Sequence, residues 1–304
     1  MERMNNMSFY ETISQNAKTV EAKLSEKLDL IKSDGAYEKY GVLERSMRYS
    51  LMAGGKRLRP CLVIEFAKLF GASEKACLDY ACSIEMIHTF SLIHDDMPCM
   101  DNDELRRGKP TNHIVFGDAT ALLAGDALIA YAFETIEGEM LSDRQNLLAS
   151  KALARHTGVC GMCAGQQIDL QSEGKKIDTE TLETLHAKKT GALIKCACIL
   201  GCIAAGKLQG CREYEDACTY AEKIGLAFQI ADDILDVSGD EAKLGKKCGS
   251  DEKEDKNTYV TLFGIDKAKN MALALCNEAK EVIGKYEGSE FLCELADFII
   301  NRDN

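Results

Sequence analysis

Apolar residues recur three and four positions apart along the chain: Ile84, Ile87, Phe90 and Ser91 or Leu92 in one stretch, and Leu122, Leu123, Ala127 and Ala130 in another. This period marks one face of an α-helix, and the strict alternation of a half-buried strand is scarce. Proline occurs only at 60, 98 and 110, so nothing after Thr111 interrupts a helix by removing a donor and crowding the preceding turn. Turn residues and charges gather at Ser33–Ala36, Gly54–Arg59, Met97–Gly117, Ser172–Thr179 and Gly239–Lys256, which read as loops. Ser142 and Gln145 have capping-box spacing and predict a helix start. No repeat, low-complexity tract or linker is evident. The pattern predicts an all-α fold, one large helical bundle over residues 1–304.

Composition agrees with a globular chain: of 304 residues, 46% are hydrophobic and 28% charged. The longest strongly apolar run, Cys196–Ala205, is far shorter than the roughly 20 residues a bilayer span needs, so it predicts a buried helix and no membrane span. Met1–Tyr10 lacks the apolar core of a secretory signal, and the expected location is the cytosol. There the 14 cysteines stay reduced and fill buried helix faces. Cys160 and Cys163 form a C-x-x-C, but no second pair at zinc spacing accompanies it. A net charge of −12 argues against nucleic acid or an anionic membrane as partner, while leaving divalent cations open. The basic residues that matter cluster locally, as Lys56, Arg57 and Arg59 and as Arg106, Arg107 and Lys109.

Two acidic segments carry candidate chemistry. In Leu92–Asp101, Pro98 is expected to end a helix just after Asp95 and Asp96, letting Asp101 curl back towards them. Three neighbouring carboxylates repel one another unless cations hold them, and an all-oxygen set suits magnesium. Alone, such a segment reads more readily as a solvated helix end than as a metal site. The second, Phe228–Asp236, sets Asp232, Asp233 and Asp236 among Ile, Leu, Phe and Ala, with Gln229, Asp232 and Asp236 on one face. Carboxylates in apolar surroundings predict a cavity wall where metal ions offset their desolvation. The two clusters are expected to face each other across a central cavity. Because magnesium combines a few carboxylates with phosphate oxygens, the implied substrate is a diphosphate.

From about Tyr40 onward the chain resembles the short-chain trans-prenyltransferases of the polyprenyl synthetase family. Four segments carry the likeness in order: Ala53-Gly54-Gly55-Lys56-Arg57-Leu58-Arg59-Pro60, Asp95–Arg107, Lys189-Thr190-Gly191 and Phe228–Asp236. The resemblance implies a magnesium-dependent enzyme that joins isopentenyl diphosphate to an allylic diphosphate, and a homodimer. Gly55, Lys56, Arg59, His88 and Arg107 are then expected at the isopentenyl diphosphate. Arg106, Lys189, Thr190, Gln229, Lys246 and Lys256 are expected at the allylic diphosphate. Asp95, Asp96, Asp101, Asp232, Asp233 and Asp236 would hold the metal. Arg106, Lys189, Thr190 and Gln229 would assist ionisation and steady the resulting carbocation, and no side chain is needed as general base. Chemistry fits these roles: glycines admit an anion to the backbone, a helix start favours negative charge, and Arg forms a two-pronged clasp. His88 lies seven residues, about two turns, before Asp95 and shares its face.

Phe90, about 7.5 Å along a helix from Asp95, and Ser91 beside it are placed to set product length. In the family an aromatic residue there accompanies a fifteen-carbon product, here farnesyl diphosphate. The Pro98-Cys99 wording also occurs in twenty-carbon, geranylgeranyl synthases, which remain the alternative. A terpene cyclase or a squalene-type synthase would lack the Lys56 and Arg59 loop. A non-catalytic subunit would be expected to lose carboxylates, and all six are present. Asn102 and Val260 depart mildly from the family pattern, where aspartate and proline are common.

Overall fold

Helix α1 (Phe9–Ile31) begins at a capping box, Ser8 with Glu11, and buries Val20, Leu24 and Leu28 along one stripe. It is followed by α2 (Tyr37–Leu51), α3 (Leu58–Leu69) and α4 (Glu74–Asp95). A hairpin of two-residue strands, β1 (Leu105–Arg106) and β2 (Lys109–Pro110), leads into α5 (Asn112–Phe116) and α6 (Asp118–Thr135). Then come α7 (Asp143–Thr157), α8 (Met162–Ser172) and α9 (Thr179–His186). A π-helical turn, Ala187–Gly191, joins α9 to α10 (Ala192–Ala204). The chain continues as α11 (Arg212–Ser238), α12 (Tyr259–Phe263), α13 (Ile265–Ile283) and α14 (Glu290–Asn301). This computed structural model describes residues 8–138, 140–238 and 258–301.

Helices α3, α4 and α10 pack together at the centre, and α10 is buried almost all round, as the Cys196–Ala205 run predicts. Close approach is built in: a Cβ on Gly201 would stand 2.6 Å from both Phe66 Cβ and the Val63 carbonyl. Outer helices enclose this trio, with α6 against α4, α7 and α11 against α10, and α13 against α11. Among the described residues every cysteine is a free thiol, and eight are buried. No described helix is long and apolar enough to cross a membrane.

Three sequence expectations change. The Met97–Gly117 segment is not all loop, since it holds the hairpin and α5. Helix α3 starts at Leu58, inside the expected Gly54–Arg59 loop. On α6 the buried face is Ala121, Ala124, Gly125, Leu128 and Ala132, whereas Leu122 and Leu123 are 45% and 56% exposed. Small residues win that face because the contact with α4 is tight: a Cβ on Gly125 would stand 2.1 Å from His94 Nε2.

Candidate active site

Helix α4 ends at Asp95, as Pro98 predicts, and Asp101 curls back so that its N–H donates to the Asp95 carbonyl at 2.9 Å. The three carboxylates of this segment are in different settings. Asp95 is partly buried, and its pKa is raised to about 6. Burial is the largest cause, Asp101 and Asp96 add to it, and Lys189 and Arg106 oppose it. Asp101 is exposed. Asp96 is 3% exposed and is clasped by Arg106, whose Nε donates to both its oxygens at 2.7 and 2.9 Å.

The hairpin explains how adjacent arginines serve different places. Arg107 and Gly108 have φ of 53° and 72°, as a two-residue turn of the I′ type requires. Arg106, on β1, turns to Asp96, while Arg107 donates to the Gly54 carbonyl and lies flat on Gly55. A Cβ on Gly55 would be 2.9 Å from Arg107 Cζ and would displace that guanidinium, and the φ of 125° favours glycine. The hairpin is tied to α2 by Tyr49, which donates to the Pro110 carbonyl, and by buried Asn112, which donates to the Ser46 carbonyl and to Ser50.

Gly55, Lys56, Arg59, His88 and Arg107 line one cavity of about 420 Å³, together with Arg57 and Glu85. All five residues expected at the isopentenyl diphosphate thus come together. Arg59 Nη1 lies 3.3 Å from His88 Nε2, which therefore accepts, leaving the imidazole neutral. The His88 pKa is held well below its ordinary value, by burial first and then by Arg59, Arg107, Arg106 and Arg57. Arg59 Nε is buried with no hydrogen-bond partner among the described residues. Such a crowd of guanidiniums around a neutral imidazole is a site prepared for an anion. Lys56 Nζ sits 5.0 Å above the ring of Phe298, bringing α14 to the rim.

The other wall is built on the π turn, a distortion that re-aims side chains within a helix. Two glycines press against it. A Cβ on Gly165 of α8 would lie 2.1 Å from the Lys189 nitrogen, and one on Gly225 of α11 would lie 3.2 Å from Gly191 Cα. Lys189 pairs with Asp169 of α8 at 2.5 Å. Thr190 donates to Gln229 Oε1 at 3.0 Å, Gln229 Nε2 is 3.4 Å from Asp233, and the Tyr259 N–H donates to Asp233 at 2.8 Å. Asp169, Lys189, Thr190, Gln229 and Asp233 line a second cavity of about 150 Å³ with His186, Leu185 and Ile177. Asp233 and Asp236 are each 3% exposed and Asp232 is intermediate.

The walls are close enough to act on each other electrically: Lys189 lowers the Asp95 pKa, and Asp232 acts on Arg59. Among the described residues no three carboxylates converge tightly enough to hold a cation unaided. The donor set still fits a hard divalent ion that takes its remaining oxygens from a diphosphate, and Asp95, raised first by burial and then by its like-charged neighbours, is a group that a cation would ease. Lys246 and Lys256 lie outside the described residues.

Sequence reading missed Gly165, Asp169, Gly225, His186 and Tyr259. His186 is 7% exposed and stacks on Tyr259 with centroids 5.7 Å apart, and neither its ring nitrogens nor the Tyr259 hydroxyl has a hydrogen-bond partner among the described residues. Burial pushes its pKa down to about 4. Gly165 and Asp169 lie one turn apart on α8, but only the packing of α8 against the Lys189 turn gives that spacing a meaning.

An all-helical bundle whose aspartate clusters adjoin a cationic cavity and a second one that holds Lys189 defines a class of enzyme that lengthens prenyl chains carried as diphosphates. Comparison with known proteins agrees. Residues 41–287 match the family model described as Polyprenyl synthetase. The chain is 43% identical over 299 residues to a farnesyl diphosphate synthase of Bacillus subtilis (strain 168), covering 96% of this chain and 97% of that one. It is 47% identical over 263 residues to a geranylgeranyl diphosphate synthase of Cyanophora paradoxa, covering 85% and 87%. The crystal structure of an FPP/GFPP synthase from Zymomonas mobilis superimposes with a TM-score of 0.83 at 37% identity, covering 96% and 98%. The chain belongs to the polyprenyl synthetase family and is a trans-prenyltransferase.

Proposed function

We propose that this enzyme condenses isopentenyl diphosphate with dimethylallyl and then geranyl diphosphate to give farnesyl diphosphate, with magnesium as its cation. The observation that carries the reading is the cavity of Gly55, Lys56, Arg59, His88 and Arg107 beside the Asp95 cluster, because a separate anion site is what a second diphosphate requires. Lys56, Arg59 and Arg107 bind the isopentenyl diphosphate, with His88 against it. Arg106 and Lys189 hold the allylic diphosphate, joined by Lys246 and Lys256. Asp95, Asp101 and Asp232 would offer carboxylate oxygens to the cation; of the three buried members of the clusters, Asp96, Asp233 and Asp236, Asp96 holds Arg106 and Asp233 the Tyr259 N–H. Magnesium, when bound, neutralises charge on the departing diphosphate.

As the allylic C–O bond breaks, Arg106 and Lys189 stabilise the leaving group. Thr190 donates its proton to Gln229, which leaves the Thr190 oxygen lone pairs for positive charge developing in the cavity. The apolar helix faces exclude water that would trap the cation. The isopentenyl double bond then attacks, and the released diphosphate takes the proton lost in the final step.

Phe90 supports the fifteen-carbon product. It is 5% exposed, one turn and a half below Asp95, with its ring 5.7 Å from that of His94. Ser91 donates to the His88 carbonyl and is only partly buried. A homodimer is supported by the exposed apolar residues Ile114 and Val115 on α5 and Leu122 and Leu123 on α6. The free thiols are in keeping with the cytosol. The site assignment is tested by paired variants. Arg59→Gln is expected to raise KM for isopentenyl diphosphate and Lys189→Gln that for geranyl diphosphate; the reverse pattern would contradict it.

A further inference from the structure

Arg57 stands between Lys56 and Arg59 yet is built differently from both. Its side chain is 1% exposed, and its backbone φ is +50°, a conformation only glycine adopts without strain. Its guanidinium is fully engaged inside the protein. Nη1 donates to Glu85 at 2.6 Å, Nη2 to the Leu51 carbonyl at 2.7 Å, and Nε to Glu21 at 3.2 Å. These partners come from three elements, α4, the end of α2 and α1. Arg57 is also the residue that caps α3, so its position fixes where Lys56 and Arg59 emerge.

Glu85 is the odd member of the cavity. Its side chain is 3% exposed, and among the described residues it is the one carboxylate lining a space whose other polar side chains are Lys56, Arg57, Arg59, His88 and Arg107. A carboxylate facing an anion site weakens anion binding unless it does something else. It lies three residues before His88 on α4, one turn away, so the pair fixes the loop against the same helix face that carries the imidazole.

We infer that Arg57 and Glu85 are positioning residues for the isopentenyl diphosphate. The buried pair, with Glu21, holds the loop in its strained conformation, and thereby sets Lys56 and Arg59 at the spacing the diphosphate needs. The inference rests on the proposed function, and it makes a prediction of definite sign. If Glu85 acted only as a repulsive charge, removing it would tighten isopentenyl diphosphate binding. As an anchor for Arg57, its removal loosens binding, because a buried guanidinium loses its partner and the loop its fixed geometry.

The test is steady-state kinetics of the full chain with magnesium, geranyl diphosphate and isopentenyl diphosphate. Glu85→Gln is expected to raise KM for isopentenyl diphosphate by about tenfold, with KM for geranyl diphosphate changed less than about twofold and kcat less than about threefold. Glu21→Gln, at a residue 34% exposed, removes one contact without leaving a buried charge unpaired and is expected to raise the same KM by about threefold. Should Glu85→Gln fail to fold, Glu21→Gln and Arg57→Lys, which cannot reach all three partners, decide the matter by the same split. A fall in KM for isopentenyl diphosphate, no change, or equal rises for both substrates would overturn the inference while leaving the proposed function standing. Wild-type protein that forms no isopentenyl-dependent product would overturn both.

Discussion

Arg106 clasps Asp96 through both carboxylate oxygens, at 2.7 and 2.9 Å from its Nε, and Nη2 approaches the same group at 2.6 Å. The second aspartate of the first cluster therefore positions a cation of the protein. A lysine keeps the charge but not the planar fork. Arg106→Lys is expected to lower kcat by about a hundredfold, and Asp96→Asn by a similar factor. The double variant should lose little more than either single one, because both break the same pair. Losses that multiply in a double-mutant cycle of kcat would show the two residues acting separately.

Asp95 makes stability depend on pH in a definite direction. Its pKa is about 6 in the folded chain against an ordinary 3.8. Between these values the folded state holds the proton more tightly, so stability falls as pH rises through the window and stays lower above it. Two pH units correspond to up to about 3 kcal/mol. In chelator, Asp95→Asn is expected to melt higher than wild type at pH 7.5 and level with it at pH 4. Magnesium with diphosphate should raise the melting temperature of wild type much more than that of the variant. A variant that melts lower at pH 7.5 would contradict the account of this carboxylate.

The π turn depends on Gly165. A methyl there would meet the Lys189 nitrogen at 2.1 Å and its Cα at 2.5 Å, and backbone atoms cannot swing aside as a side chain can. Gly165→Ala is expected to destabilise the fold by about 1–3 kcal/mol. It should also raise KM for the allylic substrate well beyond that for isopentenyl diphosphate. Thermal melts and the two KM values check this, and an alanine variant that behaves as wild type would show that the turn tolerates displacement.

Phe90 sets chain length by its volume. Phe90→Ala is expected to shift product from fifteen to twenty or more carbons, at about 3–5 kcal/mol of stability for a ring this buried. The adjoining seam can be tested from the other side, since a methyl on Gly125 presses on the His94 ring that packs against Phe90. Chromatography of the products decides, and an unchanged length distribution in Phe90→Ala sinks the assignment.

The parts of this site that rest on local pattern were legible before any coordinates. Pro98 ends α4 at Asp95, Ser142 and Gln145 form the capping box that starts α7, and the glycines and cations from Gly54 to Arg59 wrap one cavity. Legibility failed where the cause is packing between distant segments. The 2.5 Å contact of Asp169 with Lys189 exists because α8 lies against the π turn, and no spacing in the sequence announces that turn. Leu122 and Leu123 misled for a related reason: helical period identifies apolar faces, but it does not say which face a tight neighbour such as His94 will select. The partition of the six aspartates into exposed and buried members likewise follows from partners far along the chain, Arg106 for Asp96 and Tyr259 for Asp233.

The central claim is that two diphosphates meet across this cavity and are joined. Purified protein incubated with magnesium, geranyl diphosphate and labelled isopentenyl diphosphate, with products separated by chain length, tests it most directly. The account predicts label in farnesyl diphosphate, one diphosphate released per condensation, and no reaction in chelator. Consumption of geranyl diphosphate at the same rate without isopentenyl diphosphate, or label left entirely in the starting material, would contradict it.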